Sequence, residues 1–436
     1  MNFDGIRARA TAFADGLSLL VQWVLYLAVK ALSPFWNRDE TLWAFGARGG
    51  EAFADNAKYL FLHVAAERPG VRPVWLSKDS EVVAELQAAG YEAYHCYSLR
   101  GLLTNLRAGV VFLTHGHRDL AMPCCAGALN VLLWHGLPLK RISWDADFAA
   151  APAPLRAVHA DAMDEFDLLA LPGDATEPFE SGLRIGPDRM AVTGYPRNDA
   201  LFGPAPGEEF GTDAAAISRV RDLAADHPVI CYLPTFREWD PEAVSANVDF
   251  AALDDRLAAR DAYLVIKPHP KERLDLSDAD LAHVLELPEN TDVYPLLRHA
   301  DALVTDYSSV YFDYLLLDRP VAFYAFDRDR YESERGFYFD YEAVAPGPVA
   351  DDFAELLDAL DRLLDGIEDD ASDSFADRRR EVRASLLGDA ASNRRAAARV
   401  YEEVRRRLAA DPEFESEPND EGEFVEIEPE RERRAN

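Results

Sequence analysis

Ala302-Leu303-Val304-Thr305-Asp306-Tyr307-Ser308-Ser309-Val310-Tyr311-Phe312-Asp313 joins one apolar run to another through a short polar turn. The first run has no polar alternation, which marks a parallel strand covered on both faces. The second continues to Leu317 and predicts a helix over 309–317. Thr305-Asp306-Tyr307-Ser308-Ser309 then lies at the carboxyl end of a strand, where open α/β sheets bind their ligands. A helix start offers unpaired N–H groups and about half a positive charge. With the hydroxyls of Ser308 and Ser309 it makes a phosphate cradle that needs no glycine-rich loop. Plain capping of the helix by serine is the simpler alternative.

Outward from this segment the same grammar repeats. Strands are predicted at 41–46, 73–77, 92–95, 110–114 and 131–133, with helices at 56–67 and 80–89 between them. A second series has strands at 228–233, 263–266, 302–305 and 321–323 and a helix at 249–259. Short apolar strands alternating with amphipathic helices predict two doubly wound, Rossmann-like α/β domains facing across a cleft. The expected divisions are an apolar N-terminal helix at 1–37, a first domain at 38–202, a second at 203–410 and a disordered acidic tail at 411–436. The stretch Gly203-Pro204-Ala205-Pro206-Gly207, running on to Gly211, reads as the linker.

Of 436 residues, 78 are acidic and 45 basic, giving a net charge of -33, and lysine occurs only at 30, 58, 78, 140, 267 and 271. So negative a field repels phosphate backbones, so nucleic acid is not an expected partner. The even spread of acids points to a salt-rich cytoplasm, where a Debye length of about 3 Å at molar salt tolerates like charge. An anionic substrate must then be held by local donors. Cys96, Cys124, Cys125 and Cys231 show no CxxC spacing, so neither zinc nor a disulfide framework is expected. Residues 17–29 form an apolar run ending at Lys30. Thirteen residues of helix reach about 20 Å, short of the ~30 Å hydrocarbon core, which favours a helix lying in one leaflet over a full span.

Three further loops follow predicted strands. Trp134-His135-Gly136-Leu137-Pro138-Leu139-Lys140 offers a histidine made accessible by the adjacent glycine, a candidate for proton transfer. Lys267-Pro268-His269-Pro270 is a proline-braced turn that aims Lys267 and His269 at the cleft to stabilise phosphate oxygens. Arg197, Arg237 and Arg335 are forked donors in loops and candidate phosphate ligands. His115 and His117 lack a matching carboxylate spacing, so no metal is expected.

Taken in order, Asp55–Phe61, Trp134–Lys140, Gly194–Asp199, Pro234–Arg237, Lys267–Pro270, Thr305–Asp313, Arg319-Pro320 and Arg335–Tyr341 resemble the CDP-glycerol glycerophosphotransferases that build teichoic acids. The resemblance implies a GT-B-type fold at the cytoplasmic face of the membrane, peripheral or monotopic, and no cofactor. It implies CDP-glycerol as donor, a lipid-linked acceptor, and transfer of glycerol phosphate with release of CMP. By the same resemblance His135 is the general base, and His269, Thr305, Ser308 and Ser309 hold the donor phosphates together with Arg335, joined by Lys267 and Arg237 as the candidates read from their loops. Gly136, Arg197, Asp306 and Asp313 complete the motifs. A homo-oligomer is compatible with this reading. The alternatives are transfer of another alditol phosphate such as ribitol phosphate, a GT-B glycosyltransferase using nucleotide sugars, and a membrane-bound binding protein without catalysis.

Overall fold

The computed structural model describes residues 3–410 except 270, 273, 275, 277–279, 290 and 389–392, and the expected tail at 411–436 lies outside the described residues. The first sheet contains β1 (Asp39–Phe45), β2 (Arg72–Ser77), β3 (Ala93–His95), β4 (Ala108–Leu113), β5 (Leu129–Leu132), β6 (Leu168–Leu171) and β7 (Met190–Val192). The second contains β8 (Val229–Tyr232), β9 (Tyr263–Ile266), β10 (Val284–Glu286), β11 (Ala302–Thr305), β12 (Val321–Tyr324) and β13 (Val349–Ala350). Their orders are β3-β2-β1-β4-β5-β6-β7 and β10-β9-β8-β11-β12-β13. Every pairing between these strands is parallel, as in β4 beside β5 and β8 beside β11.

Both sheets therefore reverse direction of growth at one point, between β1 and β4 and between β8 and β11. At such a point the connections leave on opposite faces and open a crevice at the carboxyl ends of the strands. The central strands are buried along their whole length, as β4, β5, β8 and β11 show. This explains why they read as unbroken apolar runs. The two Rossmann-like units and the apolar N-terminal helix are present as expected.

Two elements differ from their expected setting. The helix Ala396–Ala410, placed with the second unit by sequence order, packs on the first sheet instead. Ala397, Val400, Val404 and Leu408 share a buried cluster with Trp43 and Phe61, and Tyr401 lies 5.3 Å from the Trp43 ring. The N-terminal helix runs from Phe3 to Leu32 and continues into a 3-10 turn at Ser33–Phe35. Its apolar part, Gly16–Phe35, is 20 residues long with a mean hydropathy of 1.5, long and apolar enough to cross a bilayer. It nevertheless lies against the first unit. Trp23 and Tyr26 are buried and stacked at 4.8 Å, and Tyr26 donates to Glu165 at 3.0 Å. Lys30 closes the same contact at 2.6 Å.

Candidate active site

The loops at the carboxyl ends of the two sheets meet across the cleft. Backbone pairing joins them directly: Tyr338 N–H donates to Leu139 C=O at 2.9 Å and Arg141 N–H to Gly336 C=O at 3.1 Å. Gly136 marks a second, side-chain approach between the loops. Its φ of +140° is reserved for glycine, and a Cβ there would come within 2.5 Å of the Ser309 hydroxyl. The loop carrying His135 thus sits against the loop carrying Ser309.

His135 Nδ1 lies 3.0 Å from the Thr114 carbonyl oxygen. A carbonyl only accepts, so Nδ1 carries the proton and Nε2 is left with its lone pair. The imidazole is stacked on His115, with centroids 4.1 Å apart and planes 4° apart. Burial lowers the pKa of His135, against a pull upward from Asp55, so the ring is neutral near pH 7 and able to accept a proton.

His269, on the turn after β9, has the opposite arrangement. Lys271 N–H donates to His269 Nδ1 at 3.1 Å, so Nδ1 accepts and the proton resides on Nε2. The ring stacks on Phe236 at 5.1 Å. One histidine is therefore set to take a proton and the other to donate a hydrogen bond.

A cavity of about 330 Å³ opens between these loops, lined by His269, Ser308, Ser309, Lys140, Phe236, Trp239, Tyr331 and Arg335 among others. Ser309 makes no capping bond with its side chain, so its hydroxyl is available to the cavity. The helix behind it is short, Val310–Tyr314 followed by a 3-10 turn at Leu315–Leu317, so hydroxyls and cations contribute more here than a long macrodipole would. Arg335 is half-exposed on the rim, 3.2 Å from Glu238. Lys140, in the same motif as His135, is a cavity residue to which the sequence alone assigns no role. Burial pushes its ammonium down to about 8, opposed by Asp306, which leaves it mostly charged near neutrality. Its signal in the sequence was its place in the same loop as His135. Lys267 is partly buried at the end of β9, and burial followed by the Arg48 charge lowers its pKa.

Three expected phosphate ligands are placed otherwise. Thr305 is fully buried, and its hydroxyl donates to Leu233 C=O at 2.7 Å. Arg237 is also fully buried, with its guanidinium engaged by Asp306, Thr235 C=O and Asp327. Asp306 in turn accepts from Thr235 N–H at 3.0 Å, so this pair clamps the loops after β8 and β11 to each other. Arg197 forms a buried triad, 2.7 Å from Asp55 and 2.6 Å from Asp313. It also donates to His135 C=O at 2.9 Å, while Tyr294 donates to Asp313 at 2.7 Å. The Arg237 guanidinium nitrogens are all engaged by protein oxygens, and both terminal nitrogens of Arg197 are engaged likewise. Arg197 ties the first unit's Asp55 to the second unit's Asp313, and Arg237 braces loops within the second unit; a charge buried with its partners is costly to leave alone if one is removed.

Asp55 is held at about 2 although burial works to raise it, because Arg197 and then Arg48 outweigh that effect. It stays ionised and supplies the negative charge behind His135.

Comparison with known proteins gives the family and the fold. The chain is 30% identical over 364 residues to the teichoic acid glycerol-phosphate transferase of Staphylococcus aureus, covering 79% of this chain and 89% of that one. It is 26% identical over 377 residues to the teichoic acid poly(glycerol phosphate) polymerase of Bacillus spizizenii, covering 83% of this chain and 92% of that one. The solved structure of the wall teichoic acid polymerase TagF superposes with a TM-score of 0.68 at 22% identity, over 94% of this chain and all of that one, which shows the shared fold. The family profile described as CDP-Glycerol:Poly(glycerophosphate) glycerophosphotransferase matches residues 28–405, and this chain belongs to that family.

Proposed function

We propose that this chain transfers glycerol phosphate from CDP-glycerol to a hydroxyl of a membrane-linked acceptor, with His135 as the base. The observation that carries this reading is the complementary tautomers of two loop histidines, His135 with its proton on Nδ1 and Nε2 left to accept, and His269 with Nδ1 accepting and its proton on Nε2. The acceptor hydroxyl gives its proton to His135 Nε2 as its oxygen forms a bond to the phosphorus bearing glycerol. The bond from that phosphorus to the bridging oxygen breaks, and CMP leaves with the electron pair. Charge gathers on the phosphoryl oxygens and on the departing phosphate. His269, Ser308, Ser309, Lys140 and Arg335 line the space where it develops. Such fixed donors are worth most in a partly water-excluded cleft.

The acceptor is read as lipid-linked because an exposed apolar face accompanies the catalytic units. Leu17, Val21, Val24, Leu25, Leu32 and Phe35 point outward from the N-terminal helix. A helix with one face on its own domain and the other apolar and open suits the cytoplasmic leaflet. The acidic, lysine-poor composition suits a salt-rich cytoplasm.

The test is turnover of purified protein with CDP-glycerol, CDP-ribitol and UDP-sugars on a lipid extract, followed by CMP or UDP release and product mass. CMP release with CDP-glycerol alone, abolished in His135→Ala with donor binding retained, is the expected result. Turnover only of nucleotide sugars would overturn the reaction, and full activity of His135→Ala would overturn the base.

A further inference from the structure

The transfer described above uses His135 and leaves unexplained a fully buried carboxylate behind it. Asp119 ends the turn His117–Asp119 after β4. Its Oδ2 accepts from the backbone N–H of Thr114 at 2.6 Å and of His115 at 2.8 Å. Its Oδ1 accepts from Gly49 N–H at 2.7 Å. The N–H of His115 and the C=O of Thr114 belong to one peptide group. The N–H end rests on Asp119, and the C=O end accepts from His135 Nδ1 at 3.0 Å.

A single amide thus stands between a carboxylate and an imidazole. Hydrogen bonds in such a chain polarise one another, so negative charge on Asp119 enriches the Thr114 carbonyl oxygen and strengthens its hold on the Nδ1 proton. We propose that Asp119 is a positioning residue of the transfer reaction, acting through the Thr114–His115 peptide to hold His135 with Nδ1 protonated and to raise the basicity of Nε2. This is the task a carboxylate performs by direct contact in a serine–histidine–aspartate triad. Here one peptide group is interposed.

The surroundings suit the role. The His115 ring closes over His135 at 4.1 Å, and its Nδ1 meets the Thr114 hydroxyl at 2.8 Å, so the peptide cannot turn without breaking both contacts. Charged and titratable groups facing His135 are Asp55, Arg197 and Arg48 together with His115. Around Asp119 the donors are backbone N–H groups and the Thr114 hydroxyl, and the nearby Lys78 ammonium is directed to the Gly49 and Arg118 carbonyls. Burial pushes the Asp119 carboxyl up to about 6 against its backbone donors, so it is ionised above that pH. A carboxylate that merely braced the turn would satisfy the same N–H groups and leave the tautomer of His135 untouched.

The inference rests on the reading of His135 as the base, and the experiment separates the two. Full-length protein labelled with ¹⁵N-histidine is examined by NMR, with assignment by His135→Ala. The expected wild-type spectrum shows His135 protonated on Nδ1, and the Nε2-protonated form there would overturn the proposal without any variant. In Asp119→Asn the Nδ1 form should lose its dominance. Its kcat should fall about 10- to 100-fold, less than for a directly bonded aspartate because the effect crosses a peptide. KM for CDP-glycerol should stay within about 2-fold, since binding is not involved. The acid limb of kcat/KM should move to lower pH. An Asp119→Asn protein that melts as wild type and keeps its kcat, acid limb and tautomer would overturn it. Should that variant not fold, the wild-type spectrum decides. Retained activity in His135→Ala would remove the base while leaving the tautomer result standing.

Discussion

Gly136 and Ser309 come from different sheets, yet a Cβ on the glycine would stand 2.5 Å from the serine hydroxyl. No solvent gap separates the two loops at this point, so acceptor chemistry on one wall and donor chemistry on the other are in register without a third element. A Gly136→Ala protein must either displace Ser309 or open the cleft, and it must also strain a residue at φ +140°. Turnover should fall about 100-fold, as small misplacements of reacting groups do. Folding should be kept. The checks are kcat and thermal melting, and the paired change Ser309→Gly should restore melting more than activity.

His269→Ala should behave differently from a loss of the base. It removes an N–H donor aimed into the cavity, so kcat should fall about 10²- to 10³-fold. The acid limb of the pH profile should stay where it is, because His135 still sets it. Single-turnover rates across pH with saturating CDP-glycerol check this.

Stability should decline on mild acidification. Burial pushes His115 down to about 3 and His117 to about 4. For a base with a depressed folded pKa, the contribution is complete above the unfolded value of about 6.5 and is lost as pH falls through the folded one. Asp119 has the opposite sign, since its raised value near 6 favours the fold at low pH and that benefit fades as pH rises. Between about pH 4 and 6 these two histidines outweigh this one carboxyl, so their combined contribution to stability falls as the pH is lowered. His117 lies between Tyr26 and Phe166, so His117→Phe should keep the packing and flatten the slope. Urea unfolding at a series of pH values measures it.

The N-terminal helix should separate into two functional faces. Replacing Leu17, Val21 and Val24 by serine changes only exposed positions and should release the protein from anionic vesicles with melting nearly unchanged. Deleting residues 1–37 removes the buried Trp23 and Tyr26 as well, and should lower the melting temperature. Vesicle sedimentation and calorimetry on both proteins distinguish the two effects.

The fold was readable because buried parallel strands announce themselves as unbroken apolar runs, as at Ala302–Val304 and Tyr263–Ile266. Short strands escaped for the same reason. Met190–Val192 and Val349–Ala350 carry too few residues to stand out from a loop. The loops carrying His135, His269 and Ser309 were also legible, since each follows such a strand. The roles of Arg197 and Arg237 were not. A loop arginine looks the same whether it meets a phosphate or a carboxylate. Here the partners Asp313 and Asp306 lie 116 and 69 positions away in the chain. Lys140 shows the converse, a cation whose importance comes from burial that no local pattern records.

The return of Ala396–Ala410 to the first sheet bears on how the cleft opens. The chain leaves the first unit near Gly203 and re-enters it at Ala396. The two passages run side by side, with Asp199 accepting from Ala396 N–H at 2.7 Å and Ala397 N–H at 3.0 Å. A body tied to another by one cord can swivel in any direction; tied by two adjacent cords, it swings about the line through them. The two units are therefore tied at one edge by two adjacent passages of chain, a linkage that resists twisting of one wall against the other more than a single strand would.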